Sequence, residues 1–432
     1  MPQSPSAAPR DEPVIRDRGD ACPGALRLHA ADDGFLARIR IPGGLLDAEG
    51  AAALADAADR LGDGHIEFTS RGNVQLRGLA DGCDAALAER LDAAGLLPAP
   101  THERVRNIVA SPLSGLDGLG RAEVLPWVRA LDRTLCASAR AAELSGRFLF
   151  ALDDGRGDVA ALAPDVTLLA LSPQRALVRL GAAADACEVA AQDAPRAALL
   201  AAEYFLDAAA TAGTRAWRVA ELLPEHALTA REFAVRLTAA GIDGRYAGEV
   251  DRPYAAPPRP GPVGARALCV LAPLGRMTSR QWRLLLSVAG AGGLRITPWR
   301  TVVLPHPRSA EPLAGAGLVL DRDSPWESVT ACTGRPGCAK ALADVRADAR
   351  ALVHDAAGAL PLHWSGCARR CGHPRGTAWV DAVATGDGYA LSVHGRPVPH
   401  HPGLALAHHP DLAAALAAAR STTPDAENPQ TQ

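Results

Sequence analysis

The chain of 432 residues holds one lysine, Lys340, among its 45 lysines and arginines, so 44 are arginine. Almost every cationic contact is therefore a guanidinium, a planar fork suited to two-point recognition of carboxylates. Coding bias, matched by a similar excess of alanine, is the plainer account of the imbalance, and the physical consequence holds either way. There is no run of about 18 apolar residues to span a bilayer. Residues 1–20 are polar and lack the apolar core of a secretory leader. We therefore expect a cytoplasmic protein with no membrane partner. The net charge is -3, which argues against a nucleic-acid partner and makes any anion site local. No Gly-x-Gly-x-x-Gly opens a strand–helix–strand unit, so no dinucleotide site is expected.

What is present is one plan written twice. GFLARIRI (34–41) alternates, with Phe35, Ala37, Ile39 and Ile41 on one face, as in a half-buried strand. IPGGLLD then turns and ends at Asp47, an N-cap. A helix runs on to about Leu61, closed by Gly62. HIEFTSRGNVQLRG (65–78) reads as strand, turn and strand. The pattern returns in ALCVLAPLGRMT (267–278), with Thr278 as the cap, the helix SRQWRLLLSVAG and the closing pair LRITPWRTVVLPH (294–306). Thr69 and Thr297 fall in matching places.

Longer segments follow each unit. The first has RVRNIVASPLSG (104–115), a helix over about 122–143, GRFLFALDDGRGD and a hairpin. The second has SVTACTGRPGC, a helix over 339–353, HWSGCARRCGHP and a hairpin. Units of this kind build α+β sandwiches. The expected division is a disordered tail at 1–20, a small half-domain at 21–98 and a larger lobe at 99–250. A stiff proline-rich linker follows at 251–265, then a second half-domain at 266–322, a second lobe at 323–418 and a disordered tail at 419–432.

Nine cysteines in a reducing compartment argue for thiols or metal ligands rather than disulfides. Cys332 and Cys338 have five residues between them, and Cys367 and Cys371, 28 residues further on, have three. Gly337, Gly366 and Gly372 sit beside them, as in loops that wrap a compact cluster and aim N–H groups at its sulfides. Structural zinc favours two to four residues between paired ligands and fits poorly. An iron–sulfur cluster has no fixed spacing rule across families. Spacing alone leaves zinc, a cluster or packed thiols open. Cys22, Cys83, Cys136, Cys187 and Cys269 are scattered singly and read as core thiols.

C-x5-C followed by C-x3-C, in the second of two duplicated halves, resembles the sulfite/nitrite reductase superfamily. HIEFTSRGNVQLRG resembles that family's Thr-x-Arg-x-Asn-x-Gln tetrapyrrole-binding segment, and RNIVASPLSG its Arg-Asn loop. The likeness covers about residues 21–418. It implies an α+β fold of duplicated sulfite/nitrite-reductase-like architecture, with ferredoxin-like half-domains plus two larger α/β lobes. The first lobe would bind the tetrapyrrole and the second the cluster. Within the superfamily, HWSGCARRCGHP is most similar to the Ser-Gly-Cys-Ala-Lys/Arg-x-Cys-x-His-Pro loop of the precorrin-3B synthases. The reductases tend to read Gly-Cys-Pro-Asn-x-Cys there.

The resemblance implies an oxidoreductase, a monooxygenase of aerobic cobalamin biosynthesis. Precorrin-3A, O2 and a reductant would give precorrin-3B, by ring hydroxylation and closure of an acetate to a γ-lactone. It implies a 4Fe–4S cluster on Cys332, Cys338, Cys367 and Cys371, and a mononuclear non-haem iron whose ligands are unassigned. It also implies an external electron donor: ferredoxin, flavodoxin or an NAD(P)H-linked reductase. The alternative branch, a sirohaem-dependent sulfite or nitrite reductase, implies sirohaem, with Cys371 at the bridging position. Arg71, Arg77 and Arg106 are the expected substrate cations, because an unpaired buried carboxylate is costly. Asn73, Gln75 and Asn107 are the expected hydrogen-bonding partners. Arg147 matches one basic position of the reductases, and Leu149 stands where they carry a second lysine. Arg300 and Arg335 are weaker second-half counterparts. No two-histidine, one-carboxylate set can be read from spacing; His363, His373, His400, His401, His408 and His409 read as ordinary loop histidines.

Overall fold

The computed structural model describes residues 20, 22–374, 378–393, 395–398 and 409–421. The first half-domain runs β1 (His29–Ala31), β2 (Gly34–Ile39), β3 (Leu45–Leu46), α1 (Ala48–Leu61), β4 (His65–Phe68), β5 (Val74–Leu79) and α2 (Asp84–Ala93). The first lobe adds β6 (Ile108–Ala110), α3 (Leu125–Ala137), β7 (Phe150–Asp153), β8 (Val166–Ser172), β9 (Arg175–Leu180), β10 (Asp185–Ala190), α4 (Ala194–Thr211), α5 (Ala230–Ala239) and β11 (Gly244–Glu249). The second half-domain has β12 (Gly261–Val263), β13 (Ala267–Leu271), β14 (Arg276–Thr278), α6 (Ser279–Ala289), β15 (Leu294–Ile296), β16 (Thr301–Pro305) and α7 (Glu311–Gly315). The second lobe has β17 (Val329–Ala331), α8 (Val345–Leu352), β18 (Leu362–Ser365), β19 (Val380–Ala384), β20 (Tyr389–Val393), β21 (Arg396–Pro397) and α9 (His409–Ser421).

The local signals form as expected. Asp47 caps α1 by accepting from Gly50 N at 2.8 Å, and Thr278 and Gln281 make a reciprocal capping box at α6. The two matching turns share their bonds. Thr69 Oγ1 accepts from Arg71 N and Asn73 N, and Thr297 Oγ1 from Trp299 N and Thr301 N. Each turn has one residue in the left-handed region, Gly72 at φ 65° and Arg300 at φ 63°. A glycine adopts that conformation freely; an arginine is held there by its surroundings.

The half-domains exchange an edge. The first sheet runs β1-β2-β5-β4-β14 and the second β12-β13-β16-β15-β3, so each takes its last strand from the other half. The two share one core, in which Leu54, Ala55 and Ala58 of α1 meet Trp282 and Leu285 of α6. Trp282 donates Nε1–H to Ala51 O at 2.7 Å. Each lobe has its own core. In both lobes the first strands are parallel: β6-β7-β8 in one and β17-β18-β19 in the other.

Three expectations need correction. The helix expected over 339–353 forms only at α8, because residues 339–344 are held by the cysteine loops: Ala341 N bonds Cys338 O and Leu342 N bonds Gly366 O. Within the expected linker, residues 261–263 are β12, paired to β13. The tail expected from 419 begins as helix: α9 reaches Ser421, and Arg420 is fully buried, donating to Leu360 O, Gly358 O and Ser328 Oγ. His400, His401 and His408 lie outside the described residues, as do residues 1–19.

Candidate functional site

Strand alternation builds the floor of a cleft. In β2, Ala37 and Ile39 point into the shared core, so Arg38 points the other way. Across the first sheet the register sets Arg38 opposite Gln75, Gln75 opposite Glu67 and Glu67 opposite Arg276. This polar row is bonded along its length. Arg38 Nη2 donates to Gln75 Oε1 at 3.0 Å, and Gln75 Nε2 donates to Glu67 Oε2 at 3.1 Å. One wall is Arg300, whose side chain lies where a Cβ on Gly275 would stand, 2.7 Å from Cδ. Position 275 therefore requires glycine. Burial, then neighbouring Arg346, lowers the pKa of Arg300, and it makes no ion pair among the described residues.

The opposite wall carries the thiols. Cys332 follows β17, and Cys367 and Cys371 follow β18, its parallel neighbour. The two loops touch through glycine: a Cβ on Gly366 would lie 2.7 Å from Ala341 Cβ and 3.4 Å from Gly334 Cα. Gly366 N–H donates to Cys332 Sγ at 3.1 Å. Burial, then Cys332, Cys367 and Cys338, pushes the Cys371 thiol up, so the four sulfurs share one locality. Four thiolates so placed repel one another and need bound cations. All nine cysteines are free; Cys371 is exposed and the other three of its group half-buried. The donor set of four thiols, with an N–H aimed at one sulfur, fits a 4Fe–4S cluster.

No three His, Cys, Asp or Glu groups among the described residues are arranged to hold a single metal ion. A cluster spreads its thiolates over several irons and does not require such an arrangement. The mononuclear iron implied by the resemblance finds no ligand set there. His363 is fully buried, with Nδ1 2.8 Å from Thr330 Oγ1 and Nε2 3.2 Å from Cys371 O. Burial, then Arg300, pushes its pKa down to about 3, so it is a neutral brace for the loop. Among the scattered cysteines, Cys187 and Cys269 are buried and Cys22, Cys83 and Cys136 half-buried.

Between floor and walls lies a cavity of about 230 Å³, lined by Arg38, Glu67, Gln75, Arg300, Arg346 and both Cys332 and Cys371. A larger hollow of about 560 Å³ lies between Arg259, His354 and Arg420. It has no thiol, and Arg259 is paired with Glu327 at 2.7 Å, so we place the site in the smaller cavity.

Of the seven residues expected to bind substrate, only Gln75 lines this cavity. Arg77 forks onto Asp33 at 2.9 and 2.8 Å and donates to Gly337 O, clasping the first cysteine loop. Arg106 forks onto Asp132 at 2.7 and 2.8 Å. Asn73 holds Ile41 N and Asn107, and Asn107 holds Gly146 O. Arg71 donates to Gly146 O and stands beside the polar row; burial, then Arg218, lowers its pKa to about 10. Arg147 is exposed and stacks over Trp217 at 4.7 Å. Arg38 and Arg346 were missed. Arg38 was legible as the alternate of the apolar positions of β2; Arg346 on α8 had no local signal.

Paired strand–helix–strand units and a four-thiol loop pair beside a cationic cleft define a duplicated α+β protein with one candidate cluster site. Residues 28–94 match the nitrite/sulfite reductase ferredoxin-like half domain. The chain is 28% identical over 403 residues to a precorrin-3B synthase of Sinorhizobium sp, covering 88% of this chain and 84% of that protein. It is 27% identical over 385 residues to a ferredoxin–nitrite reductase of Synechococcus elongatus, covering 79% and 74%. The solved Mycobacterium tuberculosis NirA protein has the same fold, with TM-score 0.62 at 19% identity over 85% of this chain and 77% of that one. Over most of its length the chain is thus similar to oxidoreductases of the nitrite reductase and precorrin-3B synthase kind, and it shares the fold of the solved neighbour. Among the described residues, no helix is long and apolar enough to cross a membrane.

Proposed function

We propose that the chain is a precorrin-3B synthase, which uses O2 and an external electron donor to convert precorrin-3A to precorrin-3B. The observation that carries this reading is the opening of the cysteine loops onto a cleft lined by Arg38, Arg300 and Arg346 with one carboxylate, Glu67. Such a cleft has a surplus of guanidinium charge, which the carboxylates of a precorrin would satisfy. Cys332, Cys338, Cys367 and Cys371 would hold the cluster, which supplies electrons one at a time when bound. Arg300, without an ion pair among the described residues, is poised to take a substrate carboxylate, and Gln75 to orient a second. The space is smaller than the roughly 300–1,000 Å³ usual for ligand sites, so a macrocycle would displace flexible guanidinium side chains as it enters. Leu149 is packed with Val109, Ala151 and Val159. An apolar residue there removes the second cation that multi-electron reduction of sulfite or nitrite would use as a proton source.

The nitrite reductase relatives, at similar identity, support a second reading as a sirohaem-dependent reductase. Anaerobic purification with absorbance, EPR, and iron and sulfide counts separates the two. A cluster without a sirohaem band, together with O2-dependent conversion of precorrin-3A, is the expected result. A sirohaem band with nitrite or sulfite turnover would replace the first reading with the second.

A further inference from the structure

One carboxylate joins the floor of the cleft to the cysteine loop. Glu67 is 7% exposed and is the sole acid in the cavity lining. Its Oε1 accepts from Arg346 Nη1 at 2.6 Å and lies 3.3 Å from Arg276 Nε. Its Oε2 accepts from Gln75, which in turn accepts from Arg38. On the far side, Arg346 Nε donates to the Cys332 carbonyl at 3.3 Å. Polar contacts therefore run without a break from Cys332 through Arg346, Glu67 and Gln75 to Arg38, whose Nε is buried without a partner among the described residues.

We propose that Glu67 is a positioning residue that fixes the cysteine loop to the cleft floor and balances Arg346 beside the cluster, so that a carboxylate bound by the cleft arginines is felt at the cluster. The inference rests on reading the four cysteines as cluster ligands. Local charge is one determinant of a cluster's potential, and it acts strongly in a partly dry cleft. An anion beside the cluster opposes reduction and a cation favours it.

The test is EPR-monitored potentiometry of the full-length, cluster-loaded protein without tetrapyrrole. Glu67→Gln should shift the cluster potential upward, Arg346→Gln downward, and Glu67→Asp little, with the double variant returning toward the parent. A residue that served the fold alone would not give shifts of opposite sign; shifts of one sign, or none, would overturn the proposal. A second readout needs no cluster. In the stripped protein, iodoacetamide should alkylate Cys332 several-fold faster in Glu67→Gln and Arg346→Gln than in the parent, with Cys338 unchanged. Equal rates would overturn the tether. Failure of the cluster reading would show separately, as absence of iron and sulfide from the parent, and the alkylation rates would then decide.

Discussion

Two rows of side chains stand at the same register in two copies of one sheet. In the first sheet the row is Arg38, Gln75, Glu67 and Arg276. In the second it is Cys269, Val303, Arg295 and Leu45. The first row faces an open cleft. Part of the second is plugged: Leu113 and Leu116 of the first lobe pack onto Cys269 and Val303, and Arg295 clamps that loop through Pro112 O and Ser114 O, both at 2.8 Å. The lobes repeat the contrast. Ser111 follows β6 as Cys332 follows β17. Ser111 N bonds Leu152 O and its Oγ accepts from Asp154 N at 3.1 Å; Cys332 N bonds Trp364 O and its Sγ accepts from Gly366 N at 3.1 Å. One backbone cradle thus holds thiols in one lobe and carboxylates in the other, where Asp153 accepts from Gly155, Gly157 and Ala160 N–H groups. Duplication supplied two sites, and side-chain chemistry kept one open.

The largest effect expected is at the cradle itself. Cys332→Ser, which gives the second lobe the residue of the first, should reduce iron and sulfide content to a small fraction of the parent. Ser111→Cys should not raise it, because the first cradle lacks the other three thiols. Iron gained by Ser111→Cys would show that a cradle can hold iron without the other three thiols.

Next come the arginines that the structure commits to carboxylates of the chain. Arg106 and Asp132 are 4% and 19% exposed, and Arg106→Ala should cost about 3 kcal/mol in urea denaturation, the scale of breaking a buried pair.

The carboxylate cradle carries its own pH signature. Burial, then Asp153, raises the Asp158 carboxyl to about 7, above its unfolded value near 3.8. The folded state therefore binds more protons than the unfolded state between these values. Its stability is full below about pH 4 and falls as pH rises toward 7. Asp158→Asn should flatten this slope and gain on the order of 1–2 kcal/mol at about pH 8. An unchanged slope in pH-dependent denaturation would place the proton elsewhere.

The smallest effect should fall on Arg300. Arg300→Gln should weaken binding of a porphyrin polycarboxylate about tenfold, the scale of one charge-assisted bond, with little change in thermal midpoint. Calorimetric titration beside a melting curve checks both.

Local features were legible before the fold was known. The Asp47 and Thr278 caps, the Thr69 and Thr297 turns and the alternation of GFLARIRI depend on residues a few positions apart. So does the paired cysteine spacing, since each pair sits within one loop. Arg106 and Arg77 were expected at substrate because a motif gives residue type without the partner. Asp132 and Asp33, far off in sequence, hold them.

The sequence by itself determined the duplication, the caps and turns, the α+β class and the four cysteines, because periodicity and short-range hydrogen bonding are written in neighbouring residues. Tertiary structure alone decided the exchange of β3 and β14, the plugging of one site by Leu113 and Leu116, and the gathering of Arg38, Arg300 and Arg346 around the other. Those outcomes depend on which distant carboxylate, carbonyl or apolar surface each side chain meets, and only the packed chain sets those distances.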